Sequence, residues 1–371
     1  MIYKEYKNGV KLSTLGMGNM RLPILDGDNA KIDYEKGQAI IDQAMAAGIN
    51  YYDTAYIYHG GKSEEFVGKA LKKYPRDSYY VADKFNFQAQ PDYKLQFPEQ
   101  LERLQMDRID FYLLHGIQDQ FVDDILASGC VEYFRELQRE GKIGFLGFSF
   151  HGKLASLKKM FDYYDGWDFV QIQLNYYDWY YESAKEQYEF LAEKDVAVMV
   201  MEPVHGGALS SLTPEADALF KAAEPEASVS SWAMRWVMSK PAVQVVLSGM
   251  SNQEQMTDNL KTFSEATEWT DEKEAIVKKA VEIYRPTVAV ACTKCRYCVP
   301  NCPMGLEIPY LLSVYNNCKI GGAWRASCLN DLPEEKRPSA CIGCGACTRH
   351  CPQSFSIPQY MKELAEIFAA L

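Results

Sequence analysis

Cysteine is almost missing from the first 291 residues of this 371-residue chain, where Cys130 stands alone. That scarcity excludes a disulfide-stapled fold for this stretch, which must be held by burial instead. No window approaches 18 uncharged apolar residues, so a membrane-spanning helix is not expected. Met1–Lys7 lacks the apolar core of a secretory signal, and a cytoplasmic location is expected. Positive charge is not in excess either: 39 Lys and Arg against 50 Asp and Glu leave a net charge of −11. Binding nucleic acid needs the opposite balance, so neither nucleic acid nor membrane is an expected partner. What the chain does have is 47% hydrophobic residues, enough for a large core and too many for disorder.

The other ten cysteines fall between Cys292 and Cys351. So sharp a change in usage marks a domain boundary. We place it where Arg285-Pro286 ends the helical stretch Glu254–Arg285, which divides the chain into residues 1–285 and 286–371. The tail carries Cys292-x2-Cys295-x2-Cys298-x3-Cys302-Pro303 and Cys341-x2-Cys344-x2-Cys347-x3-Cys351-Pro352. Both match the bacterial ferredoxin spacing, in which the fourth cysteine turns away to the other cluster. One [4Fe–4S] cluster is thus expected on Cys292, Cys295, Cys298 and Cys351, and a second on Cys341, Cys344, Cys347 and Cys302. Structural zinc sites favour separated CxxC pairs rather than triple runs ending in Cys-Pro. Cys130, Cys318 and Cys328 remain outside both sets.

Ahead of the tail, eight short apolar runs alternate with amphipathic helical stretches. The runs are Ser13–Gly18, Ile49–Ala55, Tyr79–Lys84, Ile109–His115, Ile143–Ser149, Phe169–Asn175, Val196–Glu202 and Val243–Gly249. Near-continuous hydrophobicity is the mark of parallel strands covered on both faces. Strand then helix, eight times over, predicts an α/β fold: a (β/α)8 TIM barrel, followed by a small, mainly helical C-terminal iron–sulfur domain. A doubly wound sheet would want a Gly-rich phosphate turn after its first strand, and Gly16–Arg21 lacks the third Gly of GxGxxG. Asn8-Gly9 between two short runs signals a hairpin that would close the barrel floor.

Functional side chains of such a barrel sit at the C-terminal strand ends. There the second run ends in Asp53, with Tyr58 just beyond, the third ends in Lys84 and the fourth in His115. Each alone is ordinary: a helix cap, a rim aromatic, a solvated strand end. Together they suit proton donation to a carbonyl oxygen. A phenol is too weak an acid at neutral pH unless a cation stabilises its phenolate, and an acid can hold that cation in place. An imidazole can then orient the carbonyl by a hydrogen bond.

Tyr52-Asp53-Thr54-Ala55-Tyr56-Ile57-Tyr58, Ala82-Asp83-Lys84 and Leu113-Leu114-His115 resemble the aldo-keto reductases, over roughly residues 1–262. The resemblance implies an NAD(P)H-dependent oxidoreductase that reduces an aldehyde or ketone, with Tyr58 as general acid in a tetrad with Asp53, Lys84 and His115. It also implies cofactor contacts at Gly18, Asn19, Ser149, Gln171, Met201, Ser251, Asn252, Gln255 and Asn259. Several depart from the family pattern. Phe150 replaces the Asn after Ser149, Met201 replaces a stacking aromatic, and Gln255 replaces an Arg that binds the 2′-phosphate. Glu202 adds negative charge where the pyrophosphate would pass. NADP is expected on family grounds, with NAD the alternative, and a flavin stays open.

His151 and His205, on loops after the fifth and seventh runs, are further candidates to face substrate, whereas His59 is expected at the solvated rim. Tyr176–Tyr181 is expected to be a packed loop. The whole chain is similar to bacterial reductases that fuse an aldo-keto reductase barrel to a two-cluster ferredoxin-like domain. Hydride transfer moves two electrons and a cubane cluster one, so the clusters would serve electron transfer or docking of a redox partner protein. The rival reading is an electron-transfer protein whose barrel binds a nucleotide or flavin without reducing carbonyls.

Overall fold

The computed structural model describes residues 1–266 and 268–371. Strands β1 (Tyr3–Glu5) and β2 (Lys11–Ser13) form an antiparallel hairpin with Tyr3 opposite Ser13. At its turn Asn8 and Gly9 take φ of 58° and 76°, the left-handed conformations that an Asn-Gly turn supplies.

The eight apolar runs are β3 (Leu15–Gly18), β4 (Tyr51–Asp53), β5 (Tyr80–Phe85), β6 (Ile109–Ile117), β7 (Ile143–Phe150), β8 (Phe169–Gln173), β9 (Ala197–Met201) and β10 (Val243–Ser248). They close into a parallel barrel in chain order, β10 pairing back onto β3. Tyr51, Phe111, Leu113, Phe145, Phe169, Met199, Val245 and Leu247 are buried in one cluster, and Tyr6 and Leu12 of the hairpin region join it, so the hairpin plugs the floor. Small residues make room among these rings. A Cβ on Gly16 would lie 2.7 Å from Val245 Cγ1, and one on Gly147 would lie 2.4 Å from the Phe169 carbonyl oxygen.

Helices follow the strands. In Tyr34–Ala46 the buried residues Gly37, Ile40, Ile41 and Ala44 recur at the spacing of one face, and Asp33 caps the start by accepting from Lys36 N. Tyr176–Tyr181 is a short helix rather than a loop, because Asn175 Oδ1 accepts from Asp178 N and so begins a turn. Tyr176 and Tyr177 are buried, as packing required.

By contacts, the chain divides into two compact units. One comprises Met1–Pro203 with Ser230–Asp271, the other Val204–Val229 with Glu272–Leu371. The second unit is mainly helical, with helices at Ile308–Gly321 and Ile357–Ala369. Leu311, Leu312, Tyr315, Leu329, Met361 and Leu364 are buried there in one core with Cys298, Cys347 and Cys351. Among the described residues, no helix is long and apolar enough to cross a membrane.

Candidate functional site

At the C-terminal end of the barrel, register brings the strand tops that carry Asp53 and Lys84 side by side. Gly18 pairs with Asp53 and Asp53 with Ala82, which sets Lys84 one turn of the pleat above the acid's neighbour. Lys84 Nζ donates to Asp53 Oδ1 at 2.6 Å and to the Thr54 carbonyl at 2.5 Å, with both charged side chains buried. Burial pushes the Asp53 carboxyl up, against the pull of the Lys84 ammonium. Asp53 Oδ2 is buried without a hydrogen-bond partner among the described residues. The same ammonium lies 4.9 Å from the centre of the Tyr58 ring, a cation–π approach. The His115 ring meets the Tyr58 ring edge-on, centroids 5.8 Å apart. All four side chains are thus in one cluster.

Burial, the Lys84 charge and His151 hold His115 well below the usual imidazole value, so its ring is neutral at physiological pH. Asn86 Nδ2 lies 3.3 Å from His115 Nδ1. An amide nitrogen only donates, so Nδ1 accepts and the ring proton sits on Nε2. Burial lowers His151 to about 4. Asn86 lies just beyond β5, two residues past Lys84, outside the strand-end positions that carry the other site residues.

A second buried network backs this cluster. Gln100 Nε2 reaches Asp83 Oδ2 at 2.8 Å, Glu64 Oε1 at 2.9 Å and the Lys84 carbonyl at 3.0 Å, and Arg103 Nη1 pairs with Glu64 Oε2 at 2.8 Å. Burial and the neighbouring Glu64 charge push Asp83 well up. No sequence motif marks these residues, since their partners come from three different elements.

Of the cofactor candidates, Ser149 and Gln171 are register partners on β7 and β8. Ser149 Oγ accepts from Gly116 N at 2.7 Å, and Gln171 Nε2 lies 3.6 Å from Met201 Sδ. Gln171 Oε1 is buried without a partner among the described residues. Phe150 is buried on β7. Asn19 is buried beside Gly18, its amide donating to the Asp53 carbonyl at 2.9 Å. Asn252 caps the helix Gln253–Thr262 by accepting from Gln255 N, while Gln255 Oε1 accepts from Ser251 N at 2.8 Å. Asn259 is buried, donating to Ser248 Oγ at 2.9 Å. The Glu202 carboxylate is 3.7 Å from Arg21 Nη2, which offsets its charge. Arg21 ends the short turn after β3, and no motif in the sequence marks it.

His59 is not at a solvated rim. It is buried, accepting from Leu22 N at 3.2 Å and contacting the Asn29 carbonyl at 2.8 Å, and so ties two loops together. His205 belongs to the second compact unit, where Nε2 lies 3.1 Å from the Ala291 carbonyl.

In that second unit, two pockets are each lined by four cysteines. Cys302, Cys341, Cys344 and Cys347 line the first, and Cys292, Cys295, Cys298 and Cys351 the second. Each run of three is completed by the fourth cysteine of the other. Among the described residues, no three His, Cys, Asp or Glu side chains form a group that could hold a single metal ion. Thiols spread around a cavity suit a polynuclear cluster better than a point cation. The remaining wall of the first is apolar, with Leu306, Ile308, Ile357 and Met361, whereas the second sets Thr293, Arg296 and Gln353 beside Leu312, Phe355 and Ile357. Cys130 is buried in the barrel unit, its thiol pushed up to about 11, as simple packing implies.

Residues 14–282 match the model of the aldo/keto reductase family and residues 291–355 that of a 4Fe-4S dicluster domain. L-galactose dehydrogenase of Arabidopsis thaliana is 28% identical over 284 residues, 69% of this chain and 86% of that protein. The structure of an aldo-keto reductase from Bacillus halodurans aligns with 27% identity and a TM-score of 0.62, covering 76% of this chain and 96% of that one. A Klebsiella pneumoniae aldo-keto reductase in complex with NADPH shares the fold at 20% identity, with a TM-score of 0.62 over 77% of this chain and 96% of its own.

Proposed function

The chain belongs to the aldo/keto reductase family and carries a C-terminal 4Fe-4S dicluster domain, and from that premise we propose that it reduces an aldehyde or ketone, with Tyr58 as general acid. The observation that carries this reading is the Lys84 ammonium, held by Asp53 at 2.6 Å and lying 4.9 Å from the Tyr58 ring centre. A fixed cation stabilises the negative charge left on the phenol oxygen when its proton goes to the carbonyl. Asp53 keeps that cation in place, and the neutral His115, protonated on Nε2, orients the carbonyl oxygen by donating to it. Exclusion of water from the buried Lys84–Asp53 pair strengthens each of these interactions.

A bound NADPH supplies the hydride. Gln171 Oε1, buried without a partner among the described residues, fits the amide N–H of a nicotinamide carboxamide, and the Ser149 hydroxyl beside it fits the amide's carbonyl. Met201, in contact with Gln171, is polarizable enough to cover the ring. Gly18 and Asn19 would line the cofactor on the β3 side, and Ser251, Asn252, Gln255 and Asn259 on the β10 side. The Arg21–Glu202 pair removes the electrostatic objection to a pyrophosphate. We take NADPH as the cofactor and NADH as the competing one, because Gln255 supplies no cation for a 2′-phosphate.

Two [4Fe–4S] clusters, on the two cysteine sets above, store and pass single electrons when assembled. We assign residues 1–285 to reduction and 286–371 to electron storage, with a redox protein as the partner that docks there. Turnover of a panel of aldehydes and ketones with NADPH and NADH tests the reading. Tyr58→Phe should lower kcat/KM by about two orders of magnitude or more, the usual scale of general acid catalysis. Unchanged turnover would remove Tyr58 from its role.

A further inference from the structure

The loop after β9 makes contacts that a barrel alone does not require. Four residues beyond Met201, His205, Gly206 and Gly207 run in succession through left-handed conformations, with φ of 48°, 65° and 92°. For a histidine that conformation is unfavourable unless the surroundings hold it. They do: His205 is 4% exposed, and its ring Nε2 lies 3.1 Å from the carbonyl of Ala291, the residue before Cys292. On the other side of Cys292, a Cβ on Gly206 would fall 1.9 Å from the carbonyl oxygen of Thr293. Only a glycine lets the two backbones come so close. One loop therefore flanks Cys292 at both neighbouring residues.

The same segment is gripped from a second direction. Asn316, on the helix Ile308–Gly321, accepts from Ala289 N at 3.1 Å and Val290 N at 2.8 Å, and donates to the Val290 carbonyl at 2.8 Å. Residues 289–293 are thus clamped between that helix and the Val204–Ser210 loop. Cys292 leads the set that lines a cavity with Cys295, Cys298 and Cys351.

We propose that His205 is a positioning residue for the first cluster, with Gly206 permitting the approach, and that this clamp ties the cluster's reduction potential to occupancy of the barrel site. Groups just outside the ligands set a cluster's potential through hydrogen bonding and water access, and the His205–Ala291 contact is such a group for Cys292. The second half of the proposal rests on the function proposed above. The loop is continuous through Pro203 with Glu202 and Met201, so a nucleotide that seats Met201 acts on the chain that clamps Cys292. Linkage is reciprocal: if nucleotide shifts the potential, reduction of the cluster shifts nucleotide affinity by the same factor.

The test is an anaerobic redox titration of the full chain with both clusters assembled, followed by electron paramagnetic resonance. It is run with and without tetrahydro-NADP, which can occupy a nicotinamide site but cannot give up hydride. Binding is read independently by tryptophan fluorescence. One of the two cluster potentials should shift with nucleotide by about 59 mV, equivalent to a tenfold difference in affinity between its two redox states. His205→Ala should move the resting potential of that cluster alone and abolish the nucleotide-induced shift. His205→Gln, which keeps an N–H donor, should restore most of both, and Gly206→Ala should behave like His205→Ala. Selective loss of one cluster signal in His205→Ala, with the other intact, also supports the seat. If tetrahydro-NADP binds and neither potential moves, the coupling is overturned while the proposed function stands. If neither tetrahydro-NADP nor tetrahydro-NAD binds, the proposed function fails, and the resting potential of His205→Ala still decides the positioning role. An unchanged resting potential in both His205→Ala and Gly206→Ala would overturn it.

Discussion

Lys84 is fully buried and bonded to the buried Asp53, so each charge depends on the other. Removing one partner leaves the other charge stranded, whereas removing both does not. Lys84→Met should therefore destabilise the fold by about 3–5 kcal/mol. Lys84→Met combined with Asp53→Leu should recover much of that loss, and urea unfolding midpoints measure both. A single variant as stable as the parent would show that Asp53 simply takes up a proton. Acid pH probes the histidines. In the folded protein His151 titrates at about 4, and His115 is also held low. The unfolded chain binds those protons near pH 6.5, so stability is present above that pH and is lost as pH falls from about 6.5 towards 4. The melting temperature should drop over that window, and His151→Gln should remove its share of the drop. The raised carboxyls of Asp53 and Asp83 act in the opposite sense, so only the difference between parent and variant isolates the imidazole.

At the scale of elements, strand spacing leaves no slack. Gly147 on β7 faces the Phe169 carbonyl of β8, where an added Cβ would sit at 2.4 Å. Gly147→Ala should part β7 from β8 and cost about 1–3 kcal/mol, the usual range for overpacking. Because Ser149 and Gln171 are the register partners two residues further along, nicotinamide affinity should fall with it. A calorimetric melt and a nucleotide titration of the same sample separate the two effects. The eight strands were legible because each is a near-continuous apolar run. Tyr176–Tyr181 was less so: an aromatic-rich hexapeptide has no period, and the Asn175 cap that makes it helical is only one residue.

Over the whole molecule, two cavities with four cysteines each predict a brown protein with about eight irons per chain after anaerobic assembly. Iron analysis and the visible spectrum measure this directly. Half that iron would leave one set as plain thiols. The core of the second unit contains Cys298, Cys347 and Cys351, so stripping iron with a chelator should lower that unit's melting transition more than the barrel's.

The sequence by itself determined the barrel and the cysteine-rich domain, because periodicity and cysteine spacing are local properties of the chain. Only the tertiary structure decided what stands next to what. It brought Asn86 to His115, paired Glu202 with Arg21, buried Asp83 and Glu64 behind Lys84, took His59 off the rim, and set His205 against the segment that leads into Cys292. Each of those contacts joins residues from separate elements, and such a contact exists only once burial has closed the chain on itself.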